Sequence, residues 1–268
     1  MHIQKGVDIM ETYRSKVEYI YGESNARKQP HQHNNRCFPF VVAVFVISGK
    51  YICYCDGNTL IADEGETLVV PEYVLHNIEM KEAGKLSWAH IRAHISGGDV
   101  LSGIKTPFVV GKEHSGEIRY LIENLVEKEN DDCPLCQLYE QMYISKFFIE
   151  VMMNVDVVQN AEPVWITDIK EYITENISDK FTISGLAARC CMSESTFCHK
   201  FKQETGISPI RYILLQKINE SLPMLSEHQT LRNISEKLNF SNEYYYSKQF
   251  KRITGITPTE YVKGKNIT

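Results

Sequence analysis

The sequence predicts an α+β protein: a small β-barrel with two helices appended to it, followed by an all-α domain of two helix-turn-helix units. Short apolar runs separated by turn residues fill residues 38–95, a helical period follows over 116–154, and a motif near the C-terminus occurs twice. The expected segments are 1–115 for the barrel, 116–158 for its helices, 159–166 for a linker and 167–268 for the helical domain, with Thr167 as candidate N-cap of its first helix.

The composition is that of an ordinary globular protein, with 268 residues, 43% apolar and 24% charged side chains. This length suits two domains, and disordered, collagenous or repeat-array folds are excluded. The longest apolar run, Phe38 to Ile47, is interrupted by Pro39 and falls short of the ~20 residues of a membrane helix. The start of the chain has no secretory signal. We therefore expect a cytoplasmic protein whose eight cysteines stay reduced.

The net charge divides unevenly along the chain. The formal charge of −5 taken whole weighs mildly against a nucleic-acid partner. Residues 163–268 carry 14 Lys/Arg and 11 Asp/Glu, a balance of +3, whereas residues 1–162 carry 15 and 23, a balance of −8. The acidity therefore belongs to the first domain, and the second remains compatible with DNA.

The first domain reads as strands joined by tight turns. FVVAVFVI ends at Ser48-Gly49, YICYC ends at Asp56-Gly57, and TLVVP follows Gly65. An Asp-Gly pair between β-rich runs is a hairpin signal. Several strands at this spacing predict a small sandwich or barrel.

Two amphipathic helices are predicted after the strands. The apolar positions of the first recur at helical spacing and are Ile118, Leu121, Ile122, Leu125 and Val126. The second carries a comparable stripe of Leu135, Leu138, Met142, Ser145 and Ile149. Such faces pack either against the barrel or against a partner subunit. The residues expected at a homodimer interface are Leu135, Leu138, Met142 and Ile149.

A thirteen-residue motif occurs at 201–213 and again at 250–262, with seven identical positions and an offset of 49. In each copy a glycine suits the left-handed residue that ends a helix. A Ser-Pro or Thr-Pro pair then supplies the N-cap and first residue of the next helix. These residues are Gly206, Ser208 and Pro209 in the first copy and Gly255, Thr257 and Pro258 in the second.

Upstream of each copy, residues 186–202 and 234–251 read as a helix, a short turn and a second helix, with one extra residue between the helices of the second unit. At 3.6 residues per turn, aromatic side chains fall on one side of each second helix and polar, partly basic ones on the other. These aromatic residues are Phe197, Phe201, Tyr246 and Phe250. A solvated amphipathic helix would explain one unit, but the duplication favours two major-groove readers.

Candidate DNA-contacting residues follow from this geometry. The base-facing candidates are Ser195, Cys198 and His199 in the first unit and Tyr244, Ser247 and Lys248 in the second. The phosphate candidates are Lys200, Lys202, Lys251 and Arg252. Neighbouring residues assigned to the same surface are Thr196, Asn242 and Tyr245.

The C-terminal hundred residues resemble the AraC/XylS transcription regulators through NFSNEYYYSKQFKRITGITPTEYV. The resemblance implies two helix-turn-helix units joined by a long helix and reading two successive major-groove segments. His199 and Lys248 stand where arginine is common, Asn239 replaces the usual glycine and Ser235 the usual alanine. Pro223 falls inside the joining segment and is expected to kink or shorten that helix.

The strand-rich half resembles the cupin-type sensor domain that is commonly fused to this DNA-binding unit. The resemblance rests on HQH, FVVAVFVISGKY, GETLVVPEYVLH and SWAHIRAHI. It implies a cupin-like barrel with an effector cavity. The residues assigned to effector binding are His31, His33, Tyr54, His76, Trp88 and His90.

A metal site is the weaker alternative for three of these histidines. Enzymatic cupins bind metal through two histidines, a glutamate and a later histidine, and His31, His33 and His76 could form such a set. Val42 occupies the glutamate position, and Tyr73 replaces a glycine of the pattern. We therefore expect no metal and no cofactor, with the histidines lining a cavity or packing at the barrel mouth.

The cysteines are expected to be small buried residues. Cys133-x-x-Cys136 has the spacing of half a zinc or redox site, but no second pair accompanies it. Cys53 and Cys55 alternate along a strand and share a face, and the Cys190-Cys191 pair lies near the first turn. A thiol sensor remains the alternative.

Together these observations predict a bacterial one-component transcription regulator and not an enzyme. The barrel would bind a small-molecule effector of unknown class, its helices would form a homodimer, and the C-terminal units would bind double-stranded promoter DNA. RNA polymerase would be a further partner of an activator, and no membrane is involved. Two alternatives stay open: a metal-dependent cupin enzyme or metal/thiol sensor, and a regulator whose barrel only dimerises or docks a protein.

Overall fold

The computed structural model describes residues 16–95, 98–101, 104–128, 135–155 and 163–265. Within these ranges all strands precede all helices. The strands are β1 Lys16–Lys28, β2 His31–Arg36, β3 Val41–Ser48, β4 Tyr51–Cys55, β5 Asn58–Ala62, β6 Thr67–Val70, β7 His76–Met80, β8 Gly84–Ile95, β9 Gly98–Asp99 and β10 Phe108–Val110. The helices are α1 Lys112–Lys128, α2 Cys136–Met153, α3 Val164–Glu175, α4 Ile183–Arg189, α5 Glu194–Thr205, α6 Pro209–Ser226, α7 Leu231–Lys237, α8 Glu243–Thr254 and α9 Pro258–Lys265.

The strands form two antiparallel sheets that share one apolar interior. The larger sheet has the order β1-β8-β3-β6-β10 with β9 paired to β8, and the smaller has the order β2-β7-β4-β5. Residues from β3 and β6 on one side and from β4 and β7 on the other belong to the same buried cluster. The predicted α+β architecture is confirmed, with a strand-rich domain followed by an all-helical one.

The predicted hairpin after YICYC has the expected turn. Cys55 pairs with Asn58 across β4 and β5, and the two residues between them, Asp56 and Gly57, have φ values of 48° and 79°. Two consecutive positive φ values define the tight turn that matches the twist of a hairpin.

Strand β3 is buried on both of its faces. Val42 and Val44 point into the space between the sheets, whereas Val41, Ala43 and Phe45 belong to a second cluster that includes α1 and α2. The two helices therefore cover the outer face of the larger sheet. This packing explains why the FVVAVFVI run lacks polar alternation.

The face of α2 that covers the sheet is not the predicted stripe. Its buried residues are Tyr143, Ile144, Phe147, Phe148 and Val151. The residues assigned to dimerisation lie on the opposite side, where Leu138 is 62% and Ile149 57% exposed and Leu135 and Met142 are also exposed. The predicted stripe therefore does not pack against the barrel, and its role in dimerisation stays a prediction.

The helical domain differs from prediction at two places. Helix α3 begins at Val164 after Pro163, so Thr167 lies inside the helix and is not its N-cap. Helix α6 continues through Pro223 to Ser226, so the proline does not end the helix there, and a kink at Pro223 stays a prediction. None of the helices in the described ranges is long and apolar enough to cross a membrane. The domain boundaries stay predictions, and most of the expected linker lies outside the described residues.

The repeated motif folds as its sequence indicates. Gly206 and Gly255 end α5 and α8 with φ values of 79° and 85°. The Ser208 hydroxyl accepts a hydrogen bond from the Arg211 amide at the start of α6. The backbone amide of Glu260 donates to the hydroxyl of Thr257 at 3.1 Å. Both turns are therefore fixed by the left-handed glycine and the hydroxyl cap that the sequence predicts.

Candidate functional site

The first recognition helix, α5, is anchored by two aromatic side chains. Phe197 and Phe201 are fully buried, and their rings contact Trp165 of α3 at 6.4 Å and Tyr212 of α6 at 5.5 Å. Ser193 caps the helix by accepting a hydrogen bond from the amide of Thr196 at 3.2 Å. The opposite face of α5 is therefore held outward by a rigid core.

The outward face of α5 contains most of the predicted DNA-contacting residues. Its exposed residues are Ser195, Thr196, His199, Lys200 and Lys202. Cys198 is only partly exposed and packs at the edge of the core, so it presents less surface than predicted. The remaining side chains supply hydroxyl, imidazole and ammonium donors, the groups that pair with base edges and phosphates.

The second recognition helix, α8, repeats this arrangement. Tyr246 and Phe250 are fully buried, and Asn242 caps the helix by accepting from the amide of Tyr245 at 2.8 Å. Four residues separate α4 from α5 and five separate α7 from α8, which confirms the extra residue in the second turn. The duplication in sequence is thus a duplication in structure.

The outward face of α8 contains the other predicted residues. Its exposed members are Asn242, Tyr244, Tyr245, Lys248, Lys251 and Arg252, and Ser247 is partly buried. Tyr244 is 76% exposed, an unusual position for a large aromatic ring. Asn242 uses its side-chain oxygen as the helix cap, which leaves its amide group to donate. Contact of these residues with DNA stays a prediction.

A cavity of about 220 Å³ opens between the two sheets of the barrel. It contains four of the six predicted effector residues, which are His31, His33, Trp88 and His90. Tyr54 lies outside the cavity. Its neighbours along β4 point inward, and its own hydroxyl donates to Glu79 at 2.5 Å. His76 is buried behind the cavity, where its Nδ1 donates to the carbonyl of Val74 at 2.9 Å. Tyr54 and His76 are thus corrections to the predicted lining.

Burial lowers the pKa of three histidines in this region, which are His33, His76 and His90. Loss of solvent lowers the pKa of His76 to about 4 and the pKa of the fully buried His90 well below its usual value. Burial, reinforced by the nearby Arg36 guanidinium, also lowers the pKa of His33. A buried imidazole loses more solvation energy as a cation than as a neutral ring. His33 and His90 therefore add hydrogen-bonding groups to the cavity, and their lowered pKa values disfavour the charged form.

Arg36 and Lys28 are the cationic side chains that line the cavity, and neither was predicted from the sequence. Burial lowers the pKa of the Arg36 guanidinium, which hydrogen-bonds the Tyr51 hydroxyl, and the group lies 4.6 Å from the ring of Phe38. No carboxylate in the described ranges forms an ion pair with it. A half-buried guanidinium that has no carboxylate partner among the described residues favours an anion, so the cavity is suited to an anionic ligand.

The alternative metal set is not assembled. The rings of His31 and His33 lie 5.3 Å apart, while His76 packs against Phe38 at 6.0 Å. Within the residues that the structure describes, no group of three histidine, cysteine or acidic side chains is placed to hold a metal ion. The predicted metal alternative thus has no support in this geometry.

The cysteines are not all buried as predicted. Cys37, Cys53 and Cys55 are buried, whereas Cys190 is partly exposed and Cys191 exposed. Burial raises the pKa of the Cys53 thiol to about 12, which makes it a poor nucleophile. Cys133, half of the Cys-x-x-Cys spacing, lies outside the described residues.

Comparisons with known proteins agree with this architecture. Residues 186–264 match a family model described as a helix-turn-helix domain. The arabinose operon regulatory protein of Salmonella typhimurium is 30% identical over 101 residues, which are 37% of this chain and 36% of that relative. The match to this first relative thus spans about a third of its length. The HTH-type transcriptional regulator YisR of Bacillus subtilis, itself uncharacterized, is 22% identical over 81% of this chain and 78% of its own length.

The fold is similar to that of ToxT from Vibrio cholerae over most of the chain. An apo ToxT crystal structure has a TM-score of 0.62 and 11% identity over 94% of this chain and 97% of its own length. Another ToxT structure holds an unsaturated fatty acid. Residues 186–264 therefore form a helix-turn-helix domain of the matched family. The resemblance to the AraC/XylS transcription regulators is confirmed, and the curated relatives are regulators of transcription.

Proposed function

We propose that this chain is a ligand-responsive transcription regulator that binds promoter DNA in successive major grooves. The observation that carries the proposal is the duplicated recognition helix. Helices α5 and α8 each combine a fully buried aromatic anchor with an exposed polar face and lie in the matched helix-turn-helix region. A single such helix is common, but two equivalent copies favour a reader of two adjacent DNA segments.

Selection from a randomised duplex library tests this proposal. The full-length protein is expected to enrich sites with two short recognition segments about one helical turn, 10–10.5 base pairs, apart. Recovery of sequences with no common motif would contradict sequence-specific DNA binding.

We propose that the protein acts in the cytoplasm and has no catalytic role. If it activates transcription, we propose RNA polymerase as a further partner.

We further propose that the effector is an anion with an apolar body, held in the barrel cavity by Arg36. The half-buried Arg36 guanidinium, which forms no ion pair with a carboxylate of the described residues, supports the anionic group. The lining by Val42, Val44, Ile78 and Trp88 supports the apolar part. ToxT has a similar fold, and one ToxT structure holds an unsaturated fatty acid. A fatty acid is likewise an anion with an apolar body. A carboxylate that replaced the missing counter-ion would offset the desolvation of Arg36.

Thermal unfolding with carboxylic acids and their matched alcohols tests the effector class. An acid present at 100 times its dissociation constant should stabilise the fold by about 2.7 kcal/mol, whereas the alcohol should give little effect. Arg36→Met should abolish the stabilisation, and the control Arg232→Met, at an exposed arginine, should retain it. Equal responses to acids and alcohols would count against an anionic effector.

The outer stripe of α2 is proposed as the homodimer interface. It consists of Leu135, Leu138, Met142 and Ile149, all exposed in the single chain. Tyr139 and Met153 add to the same exposed apolar surface. Apolar patches of this kind on a soluble protein mark interaction sites, and a second copy would bury them by helix packing.

A further inference from the structure

Each copy of the repeated motif contains a tyrosine that touches a tyrosine of the barrel. Tyr212 and Tyr261 occupy equivalent positions, 49 residues apart. The ring of Tyr212 lies 5.1 Å from that of Tyr73, and the ring of Tyr261 lies 6.4 Å from that of Tyr21. The barrel therefore contacts both helix-turn-helix units at the same place in each.

Tyr73 is held in a backbone conformation that favours glycine. Its φ of 62° lies in the left-handed region, where a bulky side chain is strained. Its amide donates to the carbonyl of Phe38 at 2.7 Å, and the thiol of Cys37 donates to its carbonyl at 3.3 Å. A strained residue persists only where surrounding contacts determine its position. Tyr73 is thus tied by its backbone to residues 37 and 38.

The side chain of Tyr73 contacts two helices of the C-terminal domain, α3 and α6. The Gln216 amide of α6 donates to the Tyr73 hydroxyl at 2.5 Å. The ammonium of Lys170 in α3 lies 5.8 Å from the rings of both Tyr73 and Tyr212. One barrel side chain therefore joins α3 and the joining helix α6.

Tyr21 contacts the wall of the cavity directly, and Tyr73 is linked to it through Phe38. The ring of Tyr21 lies 5.1 Å from that of Trp88 in the cavity wall. On the other side, the Phe38 ring lies 5.3 Å from His90 and below the Arg36 guanidinium. A ligand that moves Trp88, His90 or Arg36 must disturb the packing of one barrel tyrosine or of the segment that anchors the other.

We propose that Tyr73 and Tyr21 form a tyrosine clamp that fixes the two helix-turn-helix units relative to each other and couples their placement to the occupancy of the cavity. The regulatory role of the clamp rests on the proposed function of the chain as a ligand-responsive DNA-binding protein. The predicted base-facing residues of α5 and α8 stay exposed or partly exposed while the clamp is closed, whereas Lys251 and Arg252 also line a cavity between α8 and the barrel. The clamp therefore acts mainly on the spacing of the two faces.

Hydrogen exchange of the full-length protein tests the clamp without DNA. Tyr73→Gly removes the ring and its hydroxyl while glycine accepts the left-handed backbone, so this variant should fold. The matched control Asp56→Gly places glycine at φ 48° in an exposed hairpin turn of the same barrel. Loss of an aromatic pair should accelerate exchange of the α6 amides about threefold or more in Tyr73→Gly alone. Unchanged exchange, or equal acceleration in the control, overturns the clamp.

A second arm measures its effect on DNA reading. Sites selected by the unaltered protein are remade with one or two base pairs inserted between the recognition segments, and the affinity loss on insertion is compared. Tyr73→Gly should lose less affinity on insertion than the unaltered protein and the Asp56→Gly control. An equal loss in all three proteins overturns the coupling. If the unaltered protein enriches no site, the proposed DNA-binding function fails, and the exchange measurement still decides whether the clamp exists.

Discussion

The rings of Phe201 and Tyr212 meet edge to face at 5.5 Å, and this contact ties the recognition helix α5 to the joining helix α6. The second unit repeats it with Phe250 and Tyr261 at 5.9 Å. The hydroxyl of Thr205 donates to the carbonyl of Phe201 at 2.7 Å, and a threonine in the second copy does the same. Residues repeated in the sequence therefore make equivalent contacts in both units, and these contacts fix each recognition helix to the helix that follows.

Lys248 is expected to read a base edge. Its ammonium extends from the exposed face of α8, where lysine pairs with the acceptors of guanine. Lys248→Ala should cost about 1–3 kcal/mol of binding free energy at one base step and relax the preference there. Titration against a randomised site measures this change. A loss that is uniform over all sequences would assign Lys248 to phosphate, and no loss would remove it from the interface.

Arg252 is expected to contact phosphate. It is exposed near the end of α8, beyond the residues that face the bases. Arg252→Ala should weaken all sequences about equally and reduce the slope of log affinity against log salt by about 1. Titrations at several salt concentrations give this slope. Lys237→Ala, in α7 and outside the predicted DNA surface, serves as the control that should leave the slope unchanged.

Leu138 is expected to be central to the dimer. Its side chain is 62% exposed on the apolar stripe of α2, and a charge there would be desolvated in a helix interface. Leu138→Glu should shift the protein from dimer to monomer in sedimentation experiments. Gln141→Glu adds the same charge to the same helix without removing an apolar contact, and it should remain dimeric. A Leu138→Glu protein that stayed dimeric would move the interface elsewhere.

Acid should destabilise the fold through His76. Its pKa is about 4 in the folded protein, against about 6.5 when unfolded. Between these values the unfolded chain binds more protons, so stability is complete above pH 6.5 and falls as the pH drops towards 4. The loss attributable to His76 is about 3 kcal/mol. His90, whose pKa is also lowered by burial, acts in the same direction.

Denaturant unfolding measured between pH 4 and 7 checks this effect. His76→Asn removes the titrating imidazole and should flatten the dependence of the unfolding free energy on pH. His199→Asn, at an exposed position, is the matched control and should preserve the slope. A slope that survives His76→Asn in full would mean that other groups account for the acid sensitivity.

Local signals of turn and cap chemistry predicted much of the fold. Asp56-Gly57 indicated a hairpin, and Ser208 indicated a helix start, because both depend on backbone conformations that few residues adopt. The prediction of Thr167 as an N-cap was wrong, because α3 begins earlier, at Val164, after Pro163 and without a side-chain cap. The stripe of α2 was placed correctly on one face, but periodicity alone does not say which face meets the barrel.

The cavity was harder to predict because its chemistry depends on tertiary packing. Strand β2 reads HQHNNR, a polar segment in which nothing singles out Arg36 for burial. Its guanidinium is enclosed by Tyr51 and Phe38, which come from elsewhere in the chain. Tyr73 carried a usable signal, since it replaced an expected glycine, but the contact it makes with α6 lies 143 residues away. Long-range contacts of this kind leave no local period in the sequence.

Strand β3 separates the two apolar clusters and belongs to both. Side chains on both faces of this strand are packed against buried neighbours. A larger residue at position 43 would therefore clash with α1 and α2, and a larger residue at position 44 would reduce the volume of the cavity. Substitutions along this strand should therefore be the least tolerated in the barrel during evolution. Variation that changes ligand specificity without loss of folding has more room on β2, the exposed edge strand of the smaller sheet.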